Sequence, residues 1–184
     1  MTSARTRARE IALQALFCGD VIHRDDAPEA SLHVVEHAEA APDIKDFARQ
    51  LVDGVRGRRA ELDAHIAAAL ENWEVARLAV VDRNVLRLAT YEFVAEPDIP
   101  ARVTLNEAIE LAKRFSTAQS GAFVNGILDR IRKDLGLPVD EGEEGAPPLA
   151  DPGDDEPVRD LDLTGEAAPG STPGAPDTTG GRTD

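Results

Sequence analysis

The sequence predicts an all-helical domain followed by a disordered acidic tail, and three observations support this prediction. Apolar residues before position 138 recur at intervals of three and four, and no stretch shows the strict alternation of a half-buried strand. The chain carries 35 acidic and 20 basic residues, a net charge of −15, and residues 138–184 hold 13 of the acidic and 2 of the basic ones. That segment has no aromatic residue and cannot bury enough apolar surface to offset the entropy of ordering it. We expect one domain at residues 1–137 and a disordered tail at residues 138–184.

The first two helices are predicted near the N-terminus. Residues 4–18 place one apolar stripe on a helix face, formed by Ala8, Ile11, Ala12, Ala15 and Cys18. Gly19 and Asp20 are expected to end this helix. A short second helix is expected at residues 28–40, because Pro28 fits a first turn, where its missing N–H group costs nothing.

A long third helix is expected to begin at Asp43, whose side chain can cap its N-terminus. Its apolar positions are Phe47, Leu51, Val55, Leu62, Ile66 and Leu70. Gly54 and Gly57 lie inside this segment, and each costs a helix about 1 kcal/mol relative to alanine. We therefore expect a kink between the two halves of the helix.

Two further helices are predicted in the second half of the domain. After a brief turn, one begins at Asp82 and ends before Pro97, with inward-facing Val85, Leu88, Ala89 and Phe93. Thr104 and Glu107 have the spacing of a capping box, in which each side chain satisfies a free amide of the first turn. This spacing predicts a helix at residues 105–115.

The last helix is expected to begin near Ser120 and to stop at Gly136 and Pro138. Its apolar stripe consists of Val124, Ile127, Leu128, Ile131 and Leu135. We find no internal repeat at the periods typical of solenoid proteins.

The residue content argues against several classes of function. Cys18 is the single cysteine, so the chain can form no internal disulfide and has no cysteine cluster for structural zinc. No apolar run approaches the roughly 18 residues of a membrane span, and the N-terminus lacks a secretory signal. No catalytic triad, phosphate-cradling glycine loop or dinucleotide fingerprint is present. We expect a cytoplasmic protein that is not an enzyme and has no cofactor, metal or membrane partner.

One metal-binding pattern needs separate consideration. His33, Glu36 and His37 match H-x-x-E-H, in which two histidines four residues apart could bind zinc and the glutamate could act as a general base. No nearby segment clearly supplies a third ligand, although Glu29 lies one turn before His33. Surface histidines on a polar helix face are the favoured interpretation.

The N-terminal segment is dense in arginine. Arg5, Arg7 and Arg9 precede the first acidic residue, Glu10. Guanidinium groups pair with phosphate through two hydrogen bonds and stack on bases, so this segment suits single-stranded RNA. On a helix, Arg5 and Arg9 lie on one side and Arg7 lies with Gln14 on another. The alternative is a solvated helix start that only favours solubility.

Three separated segments resemble the NusB transcription antitermination proteins. The opening ARTRAREIALQALF resembles the family's arginine-rich arm and its A-R-E-x-A-x-Q-A-L-[YF] helix. The segment DRNVLRLATYEF resembles the family's L-R-x-A-x-Y-E-[LF] helix, and NEAIELAKRF with FVNGILDRI resembles its final pair of helices. The resemblance covers residues 4–135 and implies a bundle of about seven helices in two subdomains.

The resemblance also implies a function in RNA binding. Members of the family are antitermination factors that bind the single-stranded boxA RNA of nascent ribosomal RNA transcripts together with the ribosomal protein NusE. The complex engages elongating RNA polymerase with other Nus factors. The alternative is a protein-interaction scaffold that binds NusE with little RNA contact of its own. The sequence leaves open whether the protein forms a homodimer.

Individual residues are carried over by the same resemblance. The expected RNA-binding residues are Arg5, Arg7, Arg9, Gln14, Phe17, Gln119, Ser120 and Phe123. The expected NusE-binding residues are Asp82, Arg83 and Leu86. The sequence departs from the family pattern at Thr6, which interrupts the basic run, and at Phe17, where many members have tyrosine. The acidic tail lies outside the family core, and the resemblance implies no role for it.

Overall fold

The computed structural model describes residues 3–22, 27–70 and 73–138, all within one compact unit. These residues form seven α-helices and no strand: α1 Ala4–Val21, α2 Ala27–His37, α3 Pro42–Gly57, α4 Arg59–Ala69, α5 Val80–Ala95, α6 Ala101–Phe115 and α7 Ser120–Asp134. A 3-10 turn at Val75–Arg77 precedes α5. The all-helical prediction is confirmed, whereas the predicted disordered tail lies outside the described residues. None of the described helices is long and apolar enough to cross a membrane.

Helix α5 is the centre of the bundle. It packs against α1, α3, α4, α6 and α7, and every residue from Asn84 to Phe93 is buried. Helix α1 also packs on α2 and α3, whereas α6 packs on α7, so α5 joins two groups of helices. The largest fully buried apolar side chains include Ile11, Leu51, Leu62, Ile66, Leu86, Leu128 and Ile131. Burying each of them contributes about 1.5–3 kcal/mol to the hydrophobic term.

Helix α1 continues one turn beyond its predicted end. Gly19 and Asp20 do not stop it, and the helix runs to Val21. A carboxylate is unfavourable at the C-terminus of a helix, where the backbone carbonyl groups carry partial negative charge. Asp20 is tolerated there because Arg83 and Arg87, both on α5, each lie 3.1 Å from its Oδ2.

The predicted long third helix is in fact two helices. Helix α3 ends at Gly57 and α4 begins at Arg59, so the chain breaks rather than kinks. Gly54 lies inside α3, where an added Cβ would stand 2.1 Å from Cζ of Tyr91 on α5. This glycine therefore permits the close packing of α3 on α5. The predicted cap is wrong, because Asp43 lies in the first turn of α3 and the N-cap residue makes no side-chain capping bond.

The capping box predicted at Thr104 and Glu107 does not form. Helix α6 begins earlier, at Ala101, with Pro100 as its N-cap residue. Thr104 therefore lies one turn inside the helix, where it is 2% exposed and donates a hydrogen bond to Glu92 on α5 at 2.8 Å. Tertiary contacts occupy both side chains that the local spacing assigned to a cap.

The other helix boundaries are close to the predictions. Helix α2 ends at His37, three residues before its predicted end, and α5 begins at Val80, two residues before Asp82. Helix α7 begins at Ser120 as expected. Gly136 follows it with φ of 66°, in the left-handed region that glycine adopts without strain at helix ends.

Candidate nucleic-acid interface

An exposed stripe runs along α1. Arg7, Gln14 and Phe17 stand on one face, because steps of seven and three residues return to the same side of a helix. The Arg7 side chain is 38% exposed and Phe17 is 41% exposed. The stripe thus offers solvent a cation, an amide and an aromatic ring. These groups suit, respectively, the phosphates, the base edges and the base faces of a nucleic acid.

Arg5 stands on a different face of α1. Its guanidinium carbon lies 4.3 Å from the centre of the Phe47 ring on α3, a cation–π contact. Arg5 is exposed at the rim of a surface cavity of about 220 Å³ between α1 and α3. It is accessible to a phosphate, but from another side than Arg7.

Arg9, which was expected to face RNA, is an internal residue. Its side chain is 3% exposed, with Nε 2.6 Å from Oε1 of Glu92 and Nη2 3.0 Å from Oε2 of the same carboxylate. Bidentate pairs of this kind are strong, and removing one partner leaves the other charge buried and unpaired. Arg9 therefore holds α1 against α5 and does not present its guanidinium to a phosphate.

Further polar contacts extend from this ion pair. Thr104 donates to the same Glu92 carboxylate, and Nη1 of Arg9 lies 3.6 Å from Oε2 of Glu107. Thr6 donates a hydrogen bond to the other oxygen of Glu107 at 2.8 Å. The network joins α1, α5 and α6, so it fixes the arginine-rich arm on its neighbours.

Arg114 is a basic residue of this surface that sequence reasoning missed. It lies in the last turn of α6, and its side chain is 60% exposed. Its Nη1 donates a hydrogen bond to Oε1 of Glu10 on α1, while Arg7 donates to the other oxygen of Glu10 at 3.0 Å. No local pattern could reveal the contact, because 104 residues separate Arg114 from Glu10.

The connection between α6 and α7 carries the other predicted RNA-binding residues. Gln119 is exposed, and Phe123 is half-buried in the first turn of α7. Ser120 is only 3% exposed: its hydroxyl donates to Oδ2 of Asp82 at 3.0 Å and accepts the backbone N–H of Thr117 at 3.2 Å. Ser120 therefore shapes this connection and does not offer its hydroxyl to RNA, contrary to the expectation.

The three residues expected to receive a protein partner are largely internal. Leu86 is fully buried in the core, so the expectation is wrong for this residue. Asp82 is 8% exposed and accepts the hydrogen bond from Ser120. The Arg83 side chain is 14% exposed and donates to Asp20. Only edges of Asp82 and Arg83 face solvent.

Asp20, at the end of α1, forms ion pairs with three arginines. Besides Arg83 and Arg87, Arg59 lies 3.4 Å from its Oδ1, and these four residues line a cavity of about 540 Å³. Burial by itself would raise the pKa of Asp20, but the hydrogen bond from Arg83 and the charges of Arg87 and Arg59 outweigh burial and lower the pKa below its ordinary value. Arg87 also makes a bidentate pair with Asp63, at 2.7 and 2.9 Å.

These contacts place the α6–α7 connection beside α1. Arg114, at the end of α6, is held by Glu10 of α1. Ser120, at the start of α7, donates a hydrogen bond to Asp82 at the start of α5. The end of α1 lies at the same part of α5, because Asp20 pairs with Arg83. The connection with exposed Gln119 therefore runs from a residue held by α1 to a residue held by α5.

The candidate zinc pattern on α2 is engaged in other contacts. The rings of His33 and His37 stack with their centres 3.9 Å apart, and Nδ1 of His37 lies 3.0 Å from the backbone carbonyl oxygen of His33. The Glu36 carboxylate forms an ion pair with Arg49 on α3. Within the described ranges, no group of three or more potential metal ligands occurs.

Comparisons with known proteins agree on one family. The sequence profile of the NusB family matches residues 6–133. A transcription antitermination protein NusB of Geobacter sulfurreducens is 46% identical over 132 residues, which are 72% of this chain and 96% of the relative. The NusB of Bacillus velezensis is 50% identical over 131 residues, 71% of this chain and 97% of the relative.

Solved structures give the same result. A crystal form of T. maritima NusB superimposes with a TM-score of 0.67 at 44% identity, covering 73% of this chain and 94% of that one. A crystal structure of the antitermination factors NusB and NusE in complex with dsRNA matches with a TM-score of 0.65 at 29% identity, covering 73% of this chain and 99% of that one.

Proposed function

Because the chain belongs to the NusB family of transcription antitermination proteins, we propose that it binds the boxA element of nascent ribosomal RNA transcripts. In this proposal NusE binds alongside the RNA, and the assembly engages elongating RNA polymerase with other Nus factors in the cytoplasm. The family consists of RNA-binding antitermination factors and not of enzymes. The chemistry of the protein is therefore capture and tethering of RNA.

The observation that carries this proposal is the exposed stripe on α1. Arg7, Gln14 and Phe17 share one face of α1, and Gln119 is exposed in the α6–α7 connection. The Phe17 side chain is 41% exposed, so its ring can stack on an unpaired base. Together the three side chains of the stripe can bind backbone and bases of the same strand.

The structural relatives support RNA and NusE as partners. One of them is a complex of NusB and NusE with double-stranded RNA. We propose single-stranded RNA for this chain, because the base faces of an A-form duplex are enclosed by stacking and Phe17 could not reach them. A duplex of the same sequence is therefore the informative control.

We place the NusE surface at the start of α5, over the exposed edge of Arg83 rather than on buried Leu86. The hydrogen bond between Ser120 and Asp82 joins this part of α5 to the α6–α7 connection. RNA and NusE would then occupy adjacent surfaces. We expect NusE to increase the affinity for RNA, and linkage then requires RNA to increase the affinity for NusE by the same factor.

A filter-binding assay tests the proposal. The full chain is titrated against a boxA oligonucleotide, a scrambled oligonucleotide and the boxA duplex, each with and without purified NusE. We expect the boxA single strand to bind most tightly and NusE to increase that affinity. The logarithm of affinity should fall with the logarithm of salt concentration by about 0.7 for each phosphate neutralised.

Two outcomes would contradict the proposal. Equal affinity for boxA and scrambled RNA in the presence of NusE would remove the sequence preference. Tight NusE binding that RNA leaves unchanged, with no RNA retained on the filter, would instead establish the protein-interaction scaffold.

A further inference from the structure

We propose that Arg7 and Arg114 form a clamp for one RNA phosphate group, and that Glu10 is the residue that positions them. The inference rests on the proposed RNA-binding function and deepens it. It adds a residue of α6 to an RNA surface that sequence reasoning confined to α1 and the α6–α7 connection.

The Glu10 carboxylate accepts hydrogen bonds from both Arg7 and Arg114. The Glu10 side chain is 4% exposed, and each carboxylate oxygen accepts a hydrogen bond from a different arginine, Oε2 from Arg7 and Oε1 from Arg114. A buried carboxylate is stable only when both oxygens are satisfied. Glu10 therefore draws the two guanidinium groups together, one from each side.

The two arginines remain available to a ligand. Arg7 is 38% exposed and Arg114 is 60% exposed, and in the contacts described each donates to Glu10 through Nη1 alone. A guanidinium group carries five N–H donors, so the other nitrogens can bind phosphate oxygens. Because Glu10 already orders both side chains, RNA need not pay the entropy of fixing two flexible arginines.

The other carboxylates near the clamp are each engaged by another side chain. Glu107, two turns before Arg114 on α6, is bound by Thr6 and lies 3.6 Å from Arg9. Glu110 is paired with Lys113 at 2.9 Å. The carboxylate of Glu10 lies beneath the arginines that it binds. A phosphate approaching from solvent therefore meets the two guanidinium groups first.

The variant Arg114→Ala tests the clamp. Its boxA affinity with NusE present should fall about tenfold, the effect expected for a lost charge-assisted hydrogen bond. The slope of log affinity against log salt should become less negative by about 0.7. Arg49→Ala is the matched control, because Arg49 also contacts two carboxylates, those of Glu36 and Asp46, but lies on α3. It should change neither quantity.

The variant Glu10→Gln distinguishes positioning from simple electrostatics. It removes a negative charge, so electrostatics alone predicts tighter RNA binding. A positioning role predicts weaker binding, by about three- to tenfold, because the amide offers one acceptor oxygen in place of two charged ones. Thermal melting confirms that each variant is folded, and Arg114→Lys, which keeps the charge but loses the fork of donors, should retain intermediate affinity.

The outcomes separate this inference from the proposed function. Wild-type protein that does not bind boxA RNA with NusE would overturn both. Wild-type binding combined with an Arg114→Ala affinity and salt slope equal to those of Arg49→Ala would overturn the clamp alone. Tighter binding by Glu10→Gln would overturn the positioning role.

Discussion

Arg7 and Arg9 stand two residues apart on α1, yet their surroundings are opposite. Arg7 is 38% exposed over Glu10, whereas Arg9 is 3% exposed in a bidentate pair with Glu92. Two residues advance about 200° around a helix, so one arginine faces solvent and the other faces α5. A run of basic residues in a sequence is therefore not a basic surface, because the helix distributes the run over different faces.

The two ends of α1 show a second contrast. Near its start, Arg9 on α1 pairs with Glu92 on α5, and near its end Asp20 on α1 pairs with Arg83 and Arg87 on α5. The sign of the charge on α1 is thus reversed between the two contacts. A parallel docking of α1 on α5 would bring like charges together, so the pairs favour the antiparallel arrangement.

Replacing Arg9 by alanine should have the largest effect. The change leaves the Glu92 carboxylate buried without its charged partner, so the free energy of unfolding should fall by about 3–5 kcal/mol. Arg7→Ala, two residues away, should lower it by only about 1 kcal/mol, because the Glu10 carboxylate loses one hydrogen bond but keeps the one from Arg114. Urea unfolding followed by circular dichroism measures both. Similar losses in the two variants would show that the comparison between the arginines is mistaken.

Replacing Asp20 by asparagine should have a smaller effect. The variant leaves Arg59, Arg83 and Arg87 without their shared charge, but water in the adjoining cavity can solvate them. We expect a loss of about 2 kcal/mol in the free energy of unfolding. Glu61→Gln is the control: Glu61 pairs with Arg58 three residues away, both side chains are exposed, and such pairs contribute about 0.5 kcal/mol.

Asp20 should also make the free energy of unfolding depend on pH. The pKa of Asp20 in the folded protein lies below its ordinary value, so its stabilising effect is complete above that value and is lost as pH falls through the lowered pKa. Unfolding measured at pH 5 and at pH 3 should show a smaller decrease for Asp20→Asn than for the wild type. An equal decrease would assign the acid sensitivity to other carboxylates.

Arg7→Ala should change stability less than Arg9→Ala or Asp20→Asn, and its main effect should be on RNA binding. Arg7→Ala should weaken binding to boxA and scrambled RNA alike, because a phosphate contact carries no sequence information. Phe17→Ala should instead reduce the preference for boxA, since its ring can stack on a base. Filter binding with both RNAs measures the ratio. A larger loss of preference in Arg7→Ala than in Phe17→Ala would reverse these roles.

The helices were predictable because their signals are local. The stripe on α7 and its stop at Gly136 need only residues within a few turns of each other. The errors arose where distant partners overrode a local signal. The spacing of Thr104 and Glu107 is that of a capping box, but Glu92 and Thr6 bind these side chains from other helices.

Part of the candidate RNA-binding site could also be predicted from sequence patterns. Arg7, Gln14 and Phe17 follow from helical spacing alone. The burial of Arg9 has a signal as well, because Arg9 lies four and seven residues before buried Leu13 and Leu16 and so shares their stripe. Glu92 likewise lies on the same face of α5 as its buried apolar residues. A charged residue in register with a buried stripe indicates an internal ion pair rather than a binding residue.

The order of apolar and polar residues alone determined that this chain forms helices, where most of them lie and which face of α1 is polar, because these properties depend on neighbours within two turns. The packing of α1 against α5 and α6 decided which arginines remain at the surface. Arg9 meets its carboxylate 83 residues away and Glu10 meets Arg114 104 residues away, and burial of a charge depends on the helices that close around it.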